Sequence, residues 1–279
     1  MTTNRKIVTD VSVKEPVDER RFLVDVGLNN LPFPIRVSSR GNPDGQATVA
    51  AISVQARLMH EFEAGWIDKF IAVLHSHRDR IGNSTLRQNI GDYLAQFKAV
   101  TVRTTFEYPF FIEKLTPVAK EKCLVRYRCS YSARASSIEE KAKITFRIEV
   151  PAVSTYPIAA AVMKSPGLFA QLSMILIEIQ GSEDVYPEEL VEIVDRHALI
   201  PVYSFLTPED QAFLIEKAHA QKKTSVVILD EIREELARNH RIEWYSLRCS
   251  NLGMLHPYTT VISTEKSRWV PFSGYEDEM

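Results

Sequence analysis

The chain has 279 residues, of which 45% are apolar and 25% charged, and its formal net charge is -2. This is an ordinary globular balance, with room for one large core or two modules and without the basic footprint of a nucleic-acid binder. Three cysteines, Cys123, Cys129 and Cys249, with no Cys-x-x-Cys, argue against a disulfide framework or a Cys-rich zinc module and point to a reducing, cytoplasmic setting.

Residues 1–20 are polar, without a sustained period, and read as a mobile arm. No apolar h-region follows Met1, and no apolar run approaches the ~18 residues of a membrane span, so neither a secretory signal nor a membrane partner is expected. Ile35 and Val37 end a short extended piece, and Arg40-Gly41-Asn42-Pro43-Asp44-Gly45 is a dense turn signal. Ile52, Val54, Ala56 and Leu58 alternate with polar residues, as in a half-buried antiparallel strand. The period then becomes helical. Trp66, Phe70, Val73 and Leu74 share one face, and Asn83-Ser84 caps a second helix carrying Leu86, Ile90, Tyr93, Leu94 and Phe97. Strands return from about Ala99 to Phe106, then through Cys123, Val125, Tyr127, Cys129 and Tyr131, then through Ile144, Phe146, Ile148 and Val150.

The second half repeats this grammar. Leu172–Gln180 is strand-like, Pro187–His197 helical, and Thr207-Pro208-Glu209 opens a helix with Thr as cap and Pro as first helical residue. Val226–Leu236 is a further helix, and Arg241–Cys249 and Thr259–Ser263 are strands. Strands and helices arrive in groups, which predicts an α+β fold with antiparallel sheets and helices layered on one face. There is no Gly-x-Gly-x-x-Gly and no Gly-x-x-x-x-Gly-Lys-Ser/Thr, and only 10 glycines in all, so a glycine-built phosphate cradle is not expected.

Several segments resemble the type IB GTP cyclohydrolase family in order and spacing over roughly residues 20–265. They are Leu31-Pro32-Phe33-Pro34-Ile35-Arg36-Val37, Val54-Gln55-Ala56-Arg57-Leu58-Met59-His60-Glu61-Phe62, Phe106-Glu107-Tyr108-Pro109 and Phe146-Arg147-Ile148-Glu149-Val150-Pro151. Glu189-Leu190-Val191-Glu192-Ile193-Val194, Glu216-Lys217-Ala218 and Asn251-Leu252-Gly253-Met254-Leu255-His256 complete the series. The resemblance implies two tandem tunnelling-fold modules, each an antiparallel sheet with helices on one face, here at residues 21–150 and 151–265, followed by a tail at 266–279. It implies a homo-oligomer with sites at subunit interfaces, and hydrolysis of GTP to dihydroneopterin triphosphate with a divalent metal activating water.

The motifs that carry that chemistry are altered. Where the family has Ser-Leu-Cys-Pro-Cys-Ser-Lys, with a metal-binding thiolate, this chain reads Ser154-Thr155-Tyr156-Pro157-Ile158-Ala159-Ala160. Phe169 stands at a family His, Leu172 at an Arg, Pro201 at a ligand Glu, Trp66 at a His and Lys69 at an Arg. His256 matches a family metal-site histidine, and Glu216 the carboxylate that anchors a purine or pterin edge. A zinc-like catalytic site needs about three protein ligands, which these positions do not supply, so no family-type metal cofactor such as zinc is expected.

The resemblance therefore makes Tyr156 and His256 candidate proton donors or acceptors. It makes Glu216, Trp66, Lys69 and Phe169 candidate contacts to a guanine-nucleotide or pterin-like heterocycle. Simpler readings stand beside these: Glu216 on a solvated helix face, His256 as a structural histidine, Tyr156 as an aromatic filling vacated space. His75 and His77 lie two apart on a helix and share no face. The leading expectation is a family member with altered, metal-independent chemistry on a heterocycle. The alternatives are a non-catalytic partner of an active cyclohydrolase and a GTP cyclohydrolase with relocated ligands.

Overall fold

Alternation of apolar and polar residues becomes long antiparallel strands in the computed structural model, which describes residues 23–59, 65–137, 141–158, 164, 169–253, 255 and 257–266. The 1–20 arm and His256 lie outside the described residues, as does all of the 266–279 tail after residue 266. The first half contains β1 (Leu23–Val37), β2 (Gln46–Met59), α1 (Trp66–His77), α2 (Asn83–Phe97), β3 (Ala99–Leu115) and β4 (Lys122–Ser136). The second contains β5 (Lys143–Thr155), β6 (Ala170–Gln180), α3 (Pro187–His197), β7 (Ile200–Pro201), α4 (Pro208–Ala220), α5 (Ser225–Arg238), β8 (Trp244–Leu252) and β9 (Thr259–Glu265).

All the described strands form one sheet in the order β1-β2-β3-β4-β5-β6-β8-β9, with β7 paired to β5. β4 pairs directly with β5, so the sheet is continuous between the halves, and residue 150 lies inside β5. The helices cover one face. On that side Val102, Phe106, Ile144, Ile148, Ile175, Ile177 and Leu247 are buried against Phe70, Leu74, Ile90, Leu190, Val194, Ile228 and Ile232 of the helices. Fully burying a side chain of this kind contributes roughly 1.5–3 kcal/mol.

Four elements differ from the pattern-based expectation. β1 is a full strand rather than a short piece, because a bulge between Leu28 and Leu31, with Asn30 at φ 58°, adds one residue and reverses the alternation. β3 continues past Phe106 to Leu115 and through Pro109. The β2–β3 ladder ends at Glu107, and beyond it the Gln46 amide both donates to the Phe111 carbonyl and accepts from its N–H, each at 2.8 Å. Asn83 is not the cap of α2. Gly82 precedes the helix, and the Asp184 carboxylate, from the other half, accepts from the N–H and hydroxyl of Ser84. β7 has too few residues to leave a periodic trace.

The halves are locked at Gly181. Its carbonyl accepts from Asn83 at 3.0 Å and Arg87 at 2.7 Å, and a Cβ there would lie 2.0 Å from the Arg241 carbonyl, so only glycine fits.

Candidate functional site

The sequence candidates fall at two places. One is the end of the sheet where β5 stops and β6 starts. Tyr156 follows β5, and its N–H donates to the Phe169 carbonyl at 2.9 Å. Gly253, just past β8, lies under the Tyr156 ring: a Cβ there would meet Tyr156 Cε2 at 3.5 Å and Gln171 Oε1 at 3.8 Å. Tyr156 and Phe169 are both half-buried. His256, three residues beyond Gly253, lies outside the described residues.

A buried polar spine supports this end. Gln171 donates to Ser154 Oγ at 3.2 Å, and Ser154 and Ser173 share a hydroxyl contact of 2.7 Å. Ser173 donates to Asn251 Oδ1 at 2.7 Å, and Asn251 donates to Ser225 Oγ at 3.1 Å. Ser154, Gln171, Ser173, Ser225 and Asn251 are all buried, and register explains the meeting: Ser154 lies opposite Gln171, and Ser173 opposite Asn251. Cys249 also reaches Asn251 Oδ1, at 3.3 Å, and burial pushes its thiol up to about 11, against hydrogen bonds with Ser173 and Ser225 that lower it. That thiol is no nucleophile at neutral pH. The sequence signal for the spine was polar residues at core-facing positions of β5, β6 and β8, which the apolar count passes over.

α4 reaches the same end. Its first turn is fixed by Asp210, buried, which accepts from the N–H groups of Val118 and Ala119 at the β3–β4 tip and from the Thr207 cap. After its last turn the chain clasps Thr155: Thr155 N–H donates to the Lys223 carbonyl at 2.7 Å, and Lys223 N–H donates to Thr155 Oγ1 at 2.9 Å. Glu216 stands seven residues before Lys223, on the exposed face of α4. Helical rise and extended chain place its backbone within about 17 Å of Lys223. Next to it, burial and the Lys223 charge hold the Lys217 ammonium below its ordinary value. Glu216 shares an exposed surface with Phe213 and Ile215.

Trp66 and Lys69 occupy the second place. They stand in the first turn of α1, beyond the far end of β2; Trp66 is buried in the core and Lys69 exposed. In register they lie past the Lys143 end of β5, a strand length from Tyr156, roughly 40 Å along the sheet. One chain does not bring them to Tyr156. A depression of about 550 Å³, lined by Arg36, Ser38, Asp44, Arg80 and Tyr186 among others, contains none of the candidates. Its mixed charge and lack of converging apolar walls make it the poorer site for a flat ring.

At the positions where the resemblance places metal ligands, Phe169 and Pro201 carry no donor atom and Tyr156 offers a phenol. Among the described residues no group of three or more His, Cys, Asp or Glu side chains is arranged to hold a metal ion. The side chains described at this end do not fit a zinc-type donor set.

Comparison with known proteins gives a consistent result. A family model described as type I GTP cyclohydrolase folE2 matches residues 8–261. The chain is 28% identical over 243 residues to GTP cyclohydrolase FolE2 of Citrifermentans bemidjiense, covering 87% of this chain and 89% of that one. It is 28% identical over 257 residues to GTP cyclohydrolase FolE2 of Geotalea uraniireducens, covering 92% and 93%. Among solved structures, a uricase from Bacillus fastidious superposes with a TM-score of 0.57 at 8% identity, over 87% of this chain and 92% of that one. Urate oxidase from Bacillus sp. TB-90 gives 0.53 at 10% identity, over 87% and 99%. These structural likenesses show the fold alone.

Proposed function

Because the chain belongs to the type I GTP cyclohydrolase FolE2 family, we propose that it binds the flat ring of a guanine nucleotide or pterin at the Tyr156–Phe169 end of the sheet, with Glu216 as the carboxylate that fixes the ring edge. The observation that carries this reading is the convergence of Tyr156, Phe169 and Gly253, with the chain after α4 tied against them through Thr155 and Lys223. A carboxylate accepts two N–H bonds from the amide and amine edge of such a ring, and half-buried aromatic side chains offer it a face. Lys217 supplies positive charge for an anionic tail at the same end, while the Lys223 ammonium is held by Glu231 at 2.5 Å.

The chemistry on the ring does not run through a family metal in this reading. Tyr156 is a candidate proton donor, and His256 its candidate partner. The exposed Phe213 and Ile215 beside Glu216 support an assembly in which a second copy covers this end and desolvates the carboxylate. Trp66 and Lys69 serve the same site only if a neighbouring copy brings its α1 there. The repeated order of two strands, helices and two strands supports reading the chain as two tandem modules.

Family membership favours a second reading, hydrolysis of GTP itself, because the similar proteins are named GTP cyclohydrolases. Titration calorimetry of the wild type and Glu216→Ala with GTP and with a reduced pterin tests ring binding. Wild type binds, and the variant weakens by at least about tenfold, the loss of a charge-assisted pair. Equal binding, or none in either, overturns the reading. Fluorescent pterin formed from GTP, with and without added zinc, selects the second reading. Binding without turnover identifies a binding or regulatory member of the family.

A further inference from the structure

The sheet face turned away from the helices carries a lattice of charges, many of them paired. Arg57 bonds Asp25 at 2.7 Å, Arg128 bonds Glu107 at 3.1 Å, and Arg147 lies 3.5 Å from Glu149 and 3.9 Å from Glu178. One row sets three cations side by side without such partners. Arg103 lies directly opposite Arg134, and Arg134 directly opposite Lys143, across β3, β4 and β5. All three are exposed, and among the described residues none is paired with a carboxylate. Like charges placed directly opposite in a sheet repel, so this row lowers stability unless something neutralises it.

The neighbouring row has the opposite character. Two residues along each strand, Ser53, Thr105, Ser132 and Thr145 stand in register across β2, β3, β4 and β5. Short hydroxyl side chains leave the cations open on that flank and add donors beside them. Guanidinium, ammonium and hydroxyl donors on one flat surface match the oxygens of a phosphate chain. Three adjacent strands place the cations across about 10 Å, which a single phosphate does not bridge and an oligophosphate does.

We propose that the Arg103–Arg134–Lys143 row, with Thr105, Ser132 and Thr145, is a binding site for an oligophosphate group, separate from the Tyr156 end. Lys143 opens β5 and Tyr156 follows its other end, so the two places are about 40 Å apart along the strand. The site does not depend on Glu216 or on the identity of any ring.

Inorganic tripolyphosphate is the probe. Calorimetry on the full chain at low salt shows binding to wild type that weakens as salt is raised, and at least about tenfold loss in the Arg103→Gln/Arg134→Gln double variant. Glu216→Ala leaves this binding unchanged. Equal affinity in wild type and the double variant overturns the proposal. Thermal melting gives a second reading that needs no ligand affinity. Arg134→Gln melts higher than wild type at low salt, and tripolyphosphate raises the melting temperature of wild type but not of the double variant. A lower melting temperature for Arg134→Gln shows that the protein already neutralises the row, and overturns the proposal. A single-stranded oligonucleotide binding far more tightly than tripolyphosphate replaces the small ligand with a nucleic acid, and also overturns it.

Discussion

Thr155 and Lys223 hold each other twice, Thr155 N–H to the Lys223 carbonyl and Lys223 N–H to Thr155 Oγ1, at 2.7 and 2.9 Å. Thr155 is fully buried, and it immediately precedes Tyr156. The pair fixes the α4–α5 connection to the last residue of β5. Thr155→Val keeps the shape and the first bond but leaves the Lys223 N–H without an acceptor. Denaturant unfolding is expected to show a loss of about 1–3 kcal/mol, the cost of an unsatisfied buried donor. If ring binding depends on this junction, the affinity for GTP falls with it.

The Asp210 carboxylate docks the other end of α4. Burial alone would raise it, but N–H donors from Val118, Ala119 and Thr207 and the Thr207 hydroxyl outweigh burial and hold it well below the ordinary carboxylate value. A depressed folded-state pKa contributes stability that is fully present above the unfolded value near 3.8 and is lost as pH falls toward the folded one. Acid unfolding below about pH 4 should therefore be shallower in Asp210→Asn, which is less stable at neutral pH and has no such carboxylate to protonate. Circular dichroism of both proteins across that range checks it; parallel acid profiles count against the assignment.

Elements with a clean period were legible from the chain. α3 was expected at Pro187–His197 and stands there, and Thr207-Pro208 caps and opens α4 as its residue types require. What the chain concealed has physical causes. The bulge at Asn30 reverses the alternation of β1, so a 15-residue strand reads as a short one. The cap of α2 is Asp184, a hundred residues away from Ser84, which no local motif reveals. At the site, the resemblance selected Tyr156 and Phe169, and the fold does bring them together; it could not show that Trp66 and Lys69 sit beyond the opposite end of the strands. The Asn251 spine escaped because its members are small polar residues whose partners are set by strand register.

Asn251 is the hub of that spine. Its side chain accepts from Ser173 and Cys249 and donates to Ser225, all buried. Asn251→Leu removes every partner at once. Unfolding experiments should show a loss of roughly 3 kcal/mol or more, because several buried polar groups are left unsatisfied. Adding Ser173→Ala should cost much less in this background than in wild type, the mark of two residues acting through one network. Additive losses would mean the contacts are independent.

Near the centre of the sheet β4 and β5 part company. They pair from Arg134–Lys143 to Arg128–Glu149, and beyond that β7 pairs with β5 instead. The wedge is plugged by Lys114, whose ammonium lies 2.5 Å from Asp195 and 5.5 and 5.7 Å from the ring centres of Tyr127 and Tyr203. Burial raises the Asp195 carboxyl, and Lys114 opposes that shift. Lys114→Met strands the carboxylate, and the expected loss at neutral pH is about 3–5 kcal/mol, as for other broken buried pairs. Without the ammonium the Asp195 pKa rises further. A raised folded value gives stability that is fully present below the unfolded pKa near 3.8 and lost as pH climbs through the folded one, so the variant's deficit shrinks on acidification. Replacing both partners, Lys114→Met with Asp195→Leu, should cost less than Lys114→Met alone, since no buried charge remains. Unfolding free energies of the three variants at neutral and mildly acidic pH decide it: a Lys114→Met deficit that is small and independent of pH would place the pair in solvent rather than in the wedge.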